Sequence, residues 1–319
     1  MAATKTNQTS HTPDVTEKTS HAYMDGVHTL YKFMSYPIDG ASPNDNAERR
    51  RHVEALLRDG ELYFATAREL NDPFEASPHF RFPNTTPDEL TKEVLTGLRN
   101  SFAPQMGLNE EQILAREKAL TEEIHSGTFL VRMKGNVQQY REMFRSEYPM
   151  CCLTASREST LMWSYYSGGH TGICVHFDAT KGPFTHAERV IYSEQYPSLP
   201  LLVDTLDPIE LRTLALLTNS YVWKHEHEYR LINWPMAYQP ANSKRILDDL
   251  GNLISWKSSQ LAVIDSSFIK GVTVGASMQD TEIENILRIC YDRRLKIPVY
   301  KAKCKEDRFD LEFVRIAND

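Results

Sequence analysis

Strand-like runs in this sequence are short and irregularly spaced, and the helical stretches between them differ greatly in length. His28-Thr-Leu-Tyr-Lys-Phe33 and Glu61-Leu-Tyr-Phe-Ala65 come early. A long helical pattern then runs from Thr86 to about Tyr148, before Met150-Cys-Cys-Leu-Thr-Ala-Ser156 and Gly172-Ile-Cys-Val-His-Phe-Asp178. A doubly wound parallel sheet needs strands and helices in steady alternation. This order instead predicts an α+β chain, with a mixed, mainly antiparallel and possibly split β-sheet core flanked by helices.

Local signals place the remaining elements. Val53, Leu56 and Leu57 form an apolar stripe over Ala47–Arg58, and Gly60 supplies the stop. Pro87-Asp-Glu89 and Asn109-Glu-Glu111 are helix openings. Asp207-Pro208 starts a capped helix to about Tyr221, and Trp223 to Ile232 reads as a strand. Gly271–Gly275, a helix from Asp280 to about Arg293, and Pro298–Cys304 suggest a strand–helix–strand crossover, with a last strand over Asp310–Ile316. Arg189–Ser193 is expected to pair with the Gly172–Asp178 strand. Residues 1–26, rich in Thr, Ser, Asn and His without apolar period, are expected as a disordered arm. Residues 27–319 are then one α+β domain with a helical segment at about 87–148.

Charge and cysteine usage narrow the function classes. Lys plus Arg number 36 against 43 for Asp plus Glu, a net charge of -7, with no polybasic stripe. Affinity for nucleic acid through phosphates alone, or for an anionic membrane, needs concentrated basic surface that is not visible here. The five cysteines form no C-x-x-C pair and read as reduced core thiols of a cytoplasmic protein. Met1 to Thr12 lacks an apolar core, so no secretory signal is expected, and no apolar run is long enough to span a bilayer.

The segment richest in chemistry is Trp223-Lys-His-Glu-His-Glu-Tyr-Arg230. On a strand, Trp223, His225, His227 and Tyr229 share one face, while Glu226, Glu228 and Arg230 share the other. Paired carboxylates repel, an arrangement that tunes acid–base groups when buried and is a plain solvated face when not. The two histidines read as core residues rather than ligands, and no metal is expected. Thr154 and Ser156 could meet a ligand's oxygens, and Trp163, Tyr165 and Tyr166 could form a stacking wall or simply core. The proline-pinned turn Asn71-Asp-Pro-Phe-Glu75 could aim Asn71, Asp72 or Glu75 into a cleft, with Lys32 as a cation at its edge.

In chain order, Leu30-Tyr-Lys-Phe33, Leu62-Tyr-Phe-Ala65, Asn71-Asp-Pro-Phe-Glu75, Met162-Trp-Ser-Tyr-Tyr166, Gly172-Ile-Cys-Val-His-Phe177 and Trp223-x-x-Glu-x-Glu-Tyr-Arg230 resemble an uncharacterised bacterial domain-of-unknown-function family (number 2971). More distantly, Lys32, Thr154-Ala-Ser156 and Glu226-His-Glu228 resemble the ordered motifs of the ADP-ribosyltransferase superfamily, which usually carries Arg or His at the first of them. That resemblance implies an ADP-ribosyltransferase-like fold and an NAD-consuming transferase or glycohydrolase. It gives Glu228 the catalytic role at an oxocarbenium-like transition state, and Glu226 the role of orienting the acceptor. NAD, as substrate, is then expected against Lys32, Asn71, Thr154, Ser156, Trp163 and Tyr166, with a protein or nucleic acid as acceptor.

Two other classes stand beside it. Asp72, Glu75, Glu226 and Glu228 could hold Mg²⁺ in a nuclease or phosphodiesterase, with Lys32 and Arg230 meeting phosphate. Alternatively, the aromatic wall could serve a non-catalytic nucleotide- or partner-binding module.

Overall fold

The computed structural model describes residues 20–37, 40, 42–200, 208–233, 254–293 and 295–317. It shows an α+β protein that divides into two compact units, where the sequence predicts a single domain. One unit contains Pro73–Arg145 and Ser193–Ser220; the other contains the described residues up to Asp72, Ser146–Tyr192 and those from Tyr221 onward.

The first unit holds the predicted helical stretch, with helices at Pro87–Gly97, Ala103–Met106, Glu110–His125 and Thr128–Ser146. Their starts are chemically specified. Thr86 and Glu89 form a reciprocal capping box, and so do Asn109 and Gln112, so orphan amides of the first turns find acceptors. Pro208–Leu216 is helical too, while its expected cap, Asp207, lies outside the described residues.

The second unit is built on an eight-stranded, mixed and mostly antiparallel sheet. Its strands are β1 (Thr29–Met34), β2 (Met150–Thr154), β3 (Ile173–Asp178), β4 (Glu188–Arg189), β5 (Glu228–Ile232), β6 (Ile269–Val274), β7 (Val299–Cys304) and β8 (Leu311–Ala317), in spatial order β8-β7-β6-β3-β1-β2-β5-β4. Among the described residues, three α-helices belong to this unit: α1 (Pro43–Asp59), α2 (Thr160–Tyr166) and α3 (Asp280–Asp292). The predicted crossover is present, with α3 connecting the parallel pair β6 and β7.

Strand alternation sorts the side chains into two cores. Leu30, Cys151, Leu153, Val175, Phe177, Tyr229 and Leu231 face one way and pack with Val53, Leu56 and Leu57 of α1 and Ile286 and Ile289 of α3. Phe33 and Cys174 face the other way and pack with Met162 and Trp163 of α2. Arg50 of α1 and Glu282 of α3 are joined by an ion pair, one contact of which is 2.8 Å, and Asn285 donates to Tyr36 at 2.6 Å. Three of the five cysteines are buried, but Cys304 is exposed, so not every thiol is a core thiol. No helix among the described residues is long and apolar enough to cross a membrane.

The sheet has an uneven seam. β1 and β3 are in register over six pairs, from Thr29–Asp178 to Met34–Ile173. On its other side β1 meets β2 at the single pair Tyr31–Thr154. The eight strands therefore form one continuous sheet, joined at this point by that single pair.

Three expectations need correction. Residues 20–26 are not part of a loose arm: Ala22 is fully buried and bonds Ala187, His21 bridges Glu188, and Asp25 accepts from the Tyr229 hydroxyl at 2.8 Å. The polar composition conceals this because backbone pairing does the anchoring. Arg189 does not pair with β3; Glu188–Arg189 lies beside β5. Finally, Trp223–Glu226 is not strand but part of a 3₁₀ turn over Tyr221–Glu226, and β5 starts only at Glu228.

Two stability tests follow from this architecture. Gly60 ends α1 at φ 71°, and a Cβ there would lie 2.2 Å from the Ile264 carbonyl oxygen. Gly60→Ala is expected to cost at least about 1–3 kcal/mol from the left-handed backbone alone. Gly135→Ala, with open space around it inside a helix, should instead stabilise by about 0.4–1 kcal/mol; urea melts of both read the contrast.

The second test concerns His176 of β3, which is held by the Thr273 hydroxyl at 2.8 Å with Tyr31 and Tyr300 against its ring. Burial first, then the positive charges of Arg157 and Lys270, depress its pKa from 6.5 to about 3. Between those values the unfolded chain binds the extra proton, so acid removes stability as pH falls below about 6.5. Between about pH 7 and about pH 4, His176→Gln should lose less stability than wild type, by on the order of 3 kcal/mol in chemical melts.

Candidate functional site

Glu226 and Glu228 do not lie side by side on a strand, yet both are buried. The residue between them, His227, is exposed and sits at φ 46°, a left-handed conformation that a side chain with a Cβ adopts only when its surroundings hold it there. That turn swings the chain out of the 3₁₀ segment and into β5. The two histidines are therefore not core partners on one strand face, which is a further departure from the predicted pattern.

Thr154 holds the turn. Its hydroxyl donates to the Glu226 carbonyl oxygen at 2.5 Å and accepts from the Ser156 amide at 3.2 Å, while the Ala155 amide donates to the His227 carbonyl at 3.1 Å. Thr154 also stands opposite Glu228 in register, and opposite Tyr31 on its other side. Tyr31, Thr154 and Glu228 thus come abreast on one face at the seam. The Ser156 hydroxyl accepts from the Glu158 amide at 3.1 Å and shapes the loop that follows.

Glu228 is committed to an ion pair. Arg230, two residues along the same strand face, donates to both carboxylate oxygens at 2.8 Å, and the two side chains are 7% and 1% exposed. A bidentate fork of this kind satisfies both charges in a place where either alone would be costly. The Glu228 amide donates to the Tyr192 hydroxyl at 2.9 Å. Burial, and then the Glu228 charge, push the Tyr192 hydroxyl well above its ordinary pKa and act in the same way on the Cys152 thiol.

Glu226 has different company. Its Oε1 accepts from the Tyr166 hydroxyl at 2.5 Å, and that hydroxyl accepts in turn from the Asn71 amide at 3.3 Å. Asn71 is exposed, Tyr166 is half-buried and Glu226 is 7% exposed, so the chain of donors leads from the surface to a buried carboxylate. Burial, and then the bond to Glu226, hold the tyrosine protonated far above its usual range. Beside it, Asp72 accepts from Trp223 Nε1 at 2.8 Å.

The predicted site residues therefore separate into groups. Asn71, Thr154, Tyr166, Glu226 and Glu228 come together. Trp163 is fully buried, donates its indole N–H to the Arg157 carbonyl at 2.8 Å and meets Phe33 edge-on at 4.9 Å, so it is core rather than a stacking wall. Lys32 leaves β1 on the opposite face from Tyr31 and Glu228, where its ammonium donates to the Cys152 carbonyl at 3.3 Å. In the other unit, Glu75 accepts from Asn219 at 3.3 Å. Among the described residues no group of three His, Cys, Asp or Glu side chains is placed to hold a metal ion.

Tyr192 and Arg157 are the residues that sequence reasoning missed. Tyr192 was hidden by assigning its segment to the wrong neighbour. Arg157, whose guanidinium lies 4.7 Å from the Tyr300 ring centroid and 4.3 Å from that of Phe313, carries no sequence signal because those rings are far away in the chain. No family model, no curated protein and no solved structure matches the chain. Function has to be read from the chemistry of the cluster itself.

The two glutamates should respond differently to neutralisation. Glu228→Gln removes the bidentate carboxylate that Arg230 holds in a buried place and is expected to cost about 3–5 kcal/mol. Tyr166→Phe removes one hydrogen bond and should cost about 0.5–1.5 kcal/mol. Denaturant melts that put Glu228→Gln within the range of Tyr166→Phe would contradict this ion-pair assignment.

Proposed function

We propose that the chain is an NAD-consuming enzyme, an ADP-ribosyltransferase or NAD glycohydrolase, with an ADP-ribosyltransferase-like fold. The observation that carries this reading is the Asn71–Tyr166–Glu226 chain, which leads from the surface to a buried carboxylate where the sheet narrows to one residue pair. The mixed, mostly antiparallel sheet with flanking helices supports the α+β class to which the fold implied by the motif resemblance belongs.

In this reading Glu226 takes the role the sequence gives to Glu228. Cleavage of the bond between ribose and nicotinamide sends the electron pair out with nicotinamide and leaves positive charge on the ribosyl carbon. A carboxylate fixed in a low-dielectric site stabilises that charge more in the transition state than in the ground state. Water or an acceptor nucleophile then captures the ribosyl carbon and releases a proton. Asn71 and Tyr166 are placed to hydrogen-bond the substrate as it arrives, and Glu228, locked to Arg230, fixes the strand on which the turn rests.

The nuclease reading has no carboxylate cluster behind it among the described residues, since Asp72, Glu226 and Glu228 each engage a different partner. The binding-module reading loses its main ring with Trp163 in the core.

Incubation with NAD should release nicotinamide. Glu226→Gln is expected to lower the rate on the order of 10²–10³, a loss comparable to removing a key transition-state hydrogen-bond donor. Circular dichroism confirms that the variant folds. Background-level release by wild type across small-molecule, protein and nucleic-acid acceptors would remove the proposal.

A further inference from the structure

On the α1 side of the sheet, away from Glu226, lies a cavity of about 230 Å³ bounded by β1, α1, the Glu61–Tyr63 strand and residues 258–261. Its apolar wall includes Met34, Leu56, Leu62 and Leu261. Two cations line it as well: Lys32, half-buried, and Arg51, exposed at the helix surface. Lys32 is held by the Cys152 carbonyl at 3.3 Å, and Arg51 lies 2.8 Å from the His52 ring. Neither cation has a carboxylate partner among the described residues.

The acids nearby are already engaged. Glu61 pairs with Lys257, and Glu69 accepts from Tyr63, from Gln260 at 2.7 Å and from the Thr66 amide at 2.8 Å. A lysine ammonium drawn partly out of water against a neutral carbonyl gains from an anion brought beside it, because the carbonyl offsets only part of the lost hydration. Among the described residues, the cavity thus combines two cations that lack a carboxylate partner with an apolar wall, while the Glu61 that also lines it is paired with Lys257. This is the complement of an amphipathic anion.

We propose that this cavity is a binding site for a small organic carboxylate, with the carboxylate received by Lys32 and Arg51 and the hydrocarbon part lying against Leu56, Leu62 and Leu261. Its size fits such a molecule: an apolar cavity of about 150 Å³ takes benzene, so this one takes about nine non-hydrogen atoms. A carboxylate suits it better than a phosphate dianion, which would bring more negative charge to a wall that also holds Glu61. Lys32 and Glu228 leave opposite faces of the sheet, so this site does not depend on the proposed NAD chemistry.

Benzoate, its neutral isostere benzamide, and inorganic phosphate distinguish the possibilities when titrated by calorimetry into the full chain. Benzoate should bind at least about 10-fold more tightly than benzamide, and Lys32→Gln should weaken it about 10-fold, the equivalent of one charge-assisted hydrogen bond. Arg51→Gln, at an exposed position that leaves the fold intact, should weaken it about 3-fold or more, while Glu226→Gln should leave it unchanged. Benzamide binding as well as benzoate, phosphate binding more tightly than benzoate, or unaltered benzoate affinity in Arg51→Gln would each overturn the proposal, the last even if Lys32→Gln fails to fold.

Discussion

β1 and β2 meet through one residue pair, and much of the second unit's chemistry is a response to that single contact. A strand pair normally satisfies its amides and carbonyls along its whole length, so groups beside so short a contact must find other partners. The Lys32 ammonium takes the Cys152 carbonyl, the Thr154 hydroxyl takes the Glu226 carbonyl, and the Ala155 amide takes that of His227. The first of these lies at the β1 edge of β2, and the other two lie at its β5 edge. On the other side of β2 the ladder with β5 sets Glu228 beside Thr154, and the Thr154 hydroxyl and Ala155 amide carry it on to Glu226 and His227.

The left-handed His227 fits this account. Strain at one residue of the order of 1–3 kcal/mol persists only where neighbours fix it. Here the restraints are the Thr154 hydroxyl bond on one side and the Glu228–Arg230 fork on the other. Neither is dispensable. Without the hydroxyl the Glu226 carbonyl would lose its donor, and without the fork β5 would begin with a bare buried charge.

How much of this could be read from the sequence depends on the range of the interaction. Helix starts such as Thr86 with Glu89 and the stop at Gly60 are encoded within a few residues, and they are where the sequence places them. The β6–α3–β7 crossover is nearly as local. Strand pairing is not: the partner of Glu188–Arg189 is set by β5, some forty residues on, and composition has no means of choosing it over β3. The Glu-His-Glu segment was misread as a plain strand for a related reason. Alternation correctly puts Glu228 and Arg230 on one face, but it extends back through Glu226 only if His227 is extended, and His227 is turned by contacts with β2. The sequence leaves open whether the two glutamates are buried or solvated; both are buried, and not through the strand geometry it predicts.

The geometry also changes which glutamate is suited to chemistry. A reacting carboxylate must be able to change its interactions as charge develops on the substrate, and a group saturated by a bidentate guanidinium has little left to offer without first breaking that fork. The Glu228–Arg230 pair, both members almost wholly shielded from water, is therefore best understood as a fixed strut. Glu226 accepts at Oε1 from the Tyr166 hydroxyl, a neutral donor whose bond is weaker than a guanidinium fork. Its donor is tied in turn to Asn71 on a proline-pinned turn, so a ligand arriving at the exposed amide perturbs the carboxylate through a single intervening oxygen. Motif resemblance favours the second glutamate; within the proposed reading, the rigidity of the Glu228–Arg230 fork is what favours the first.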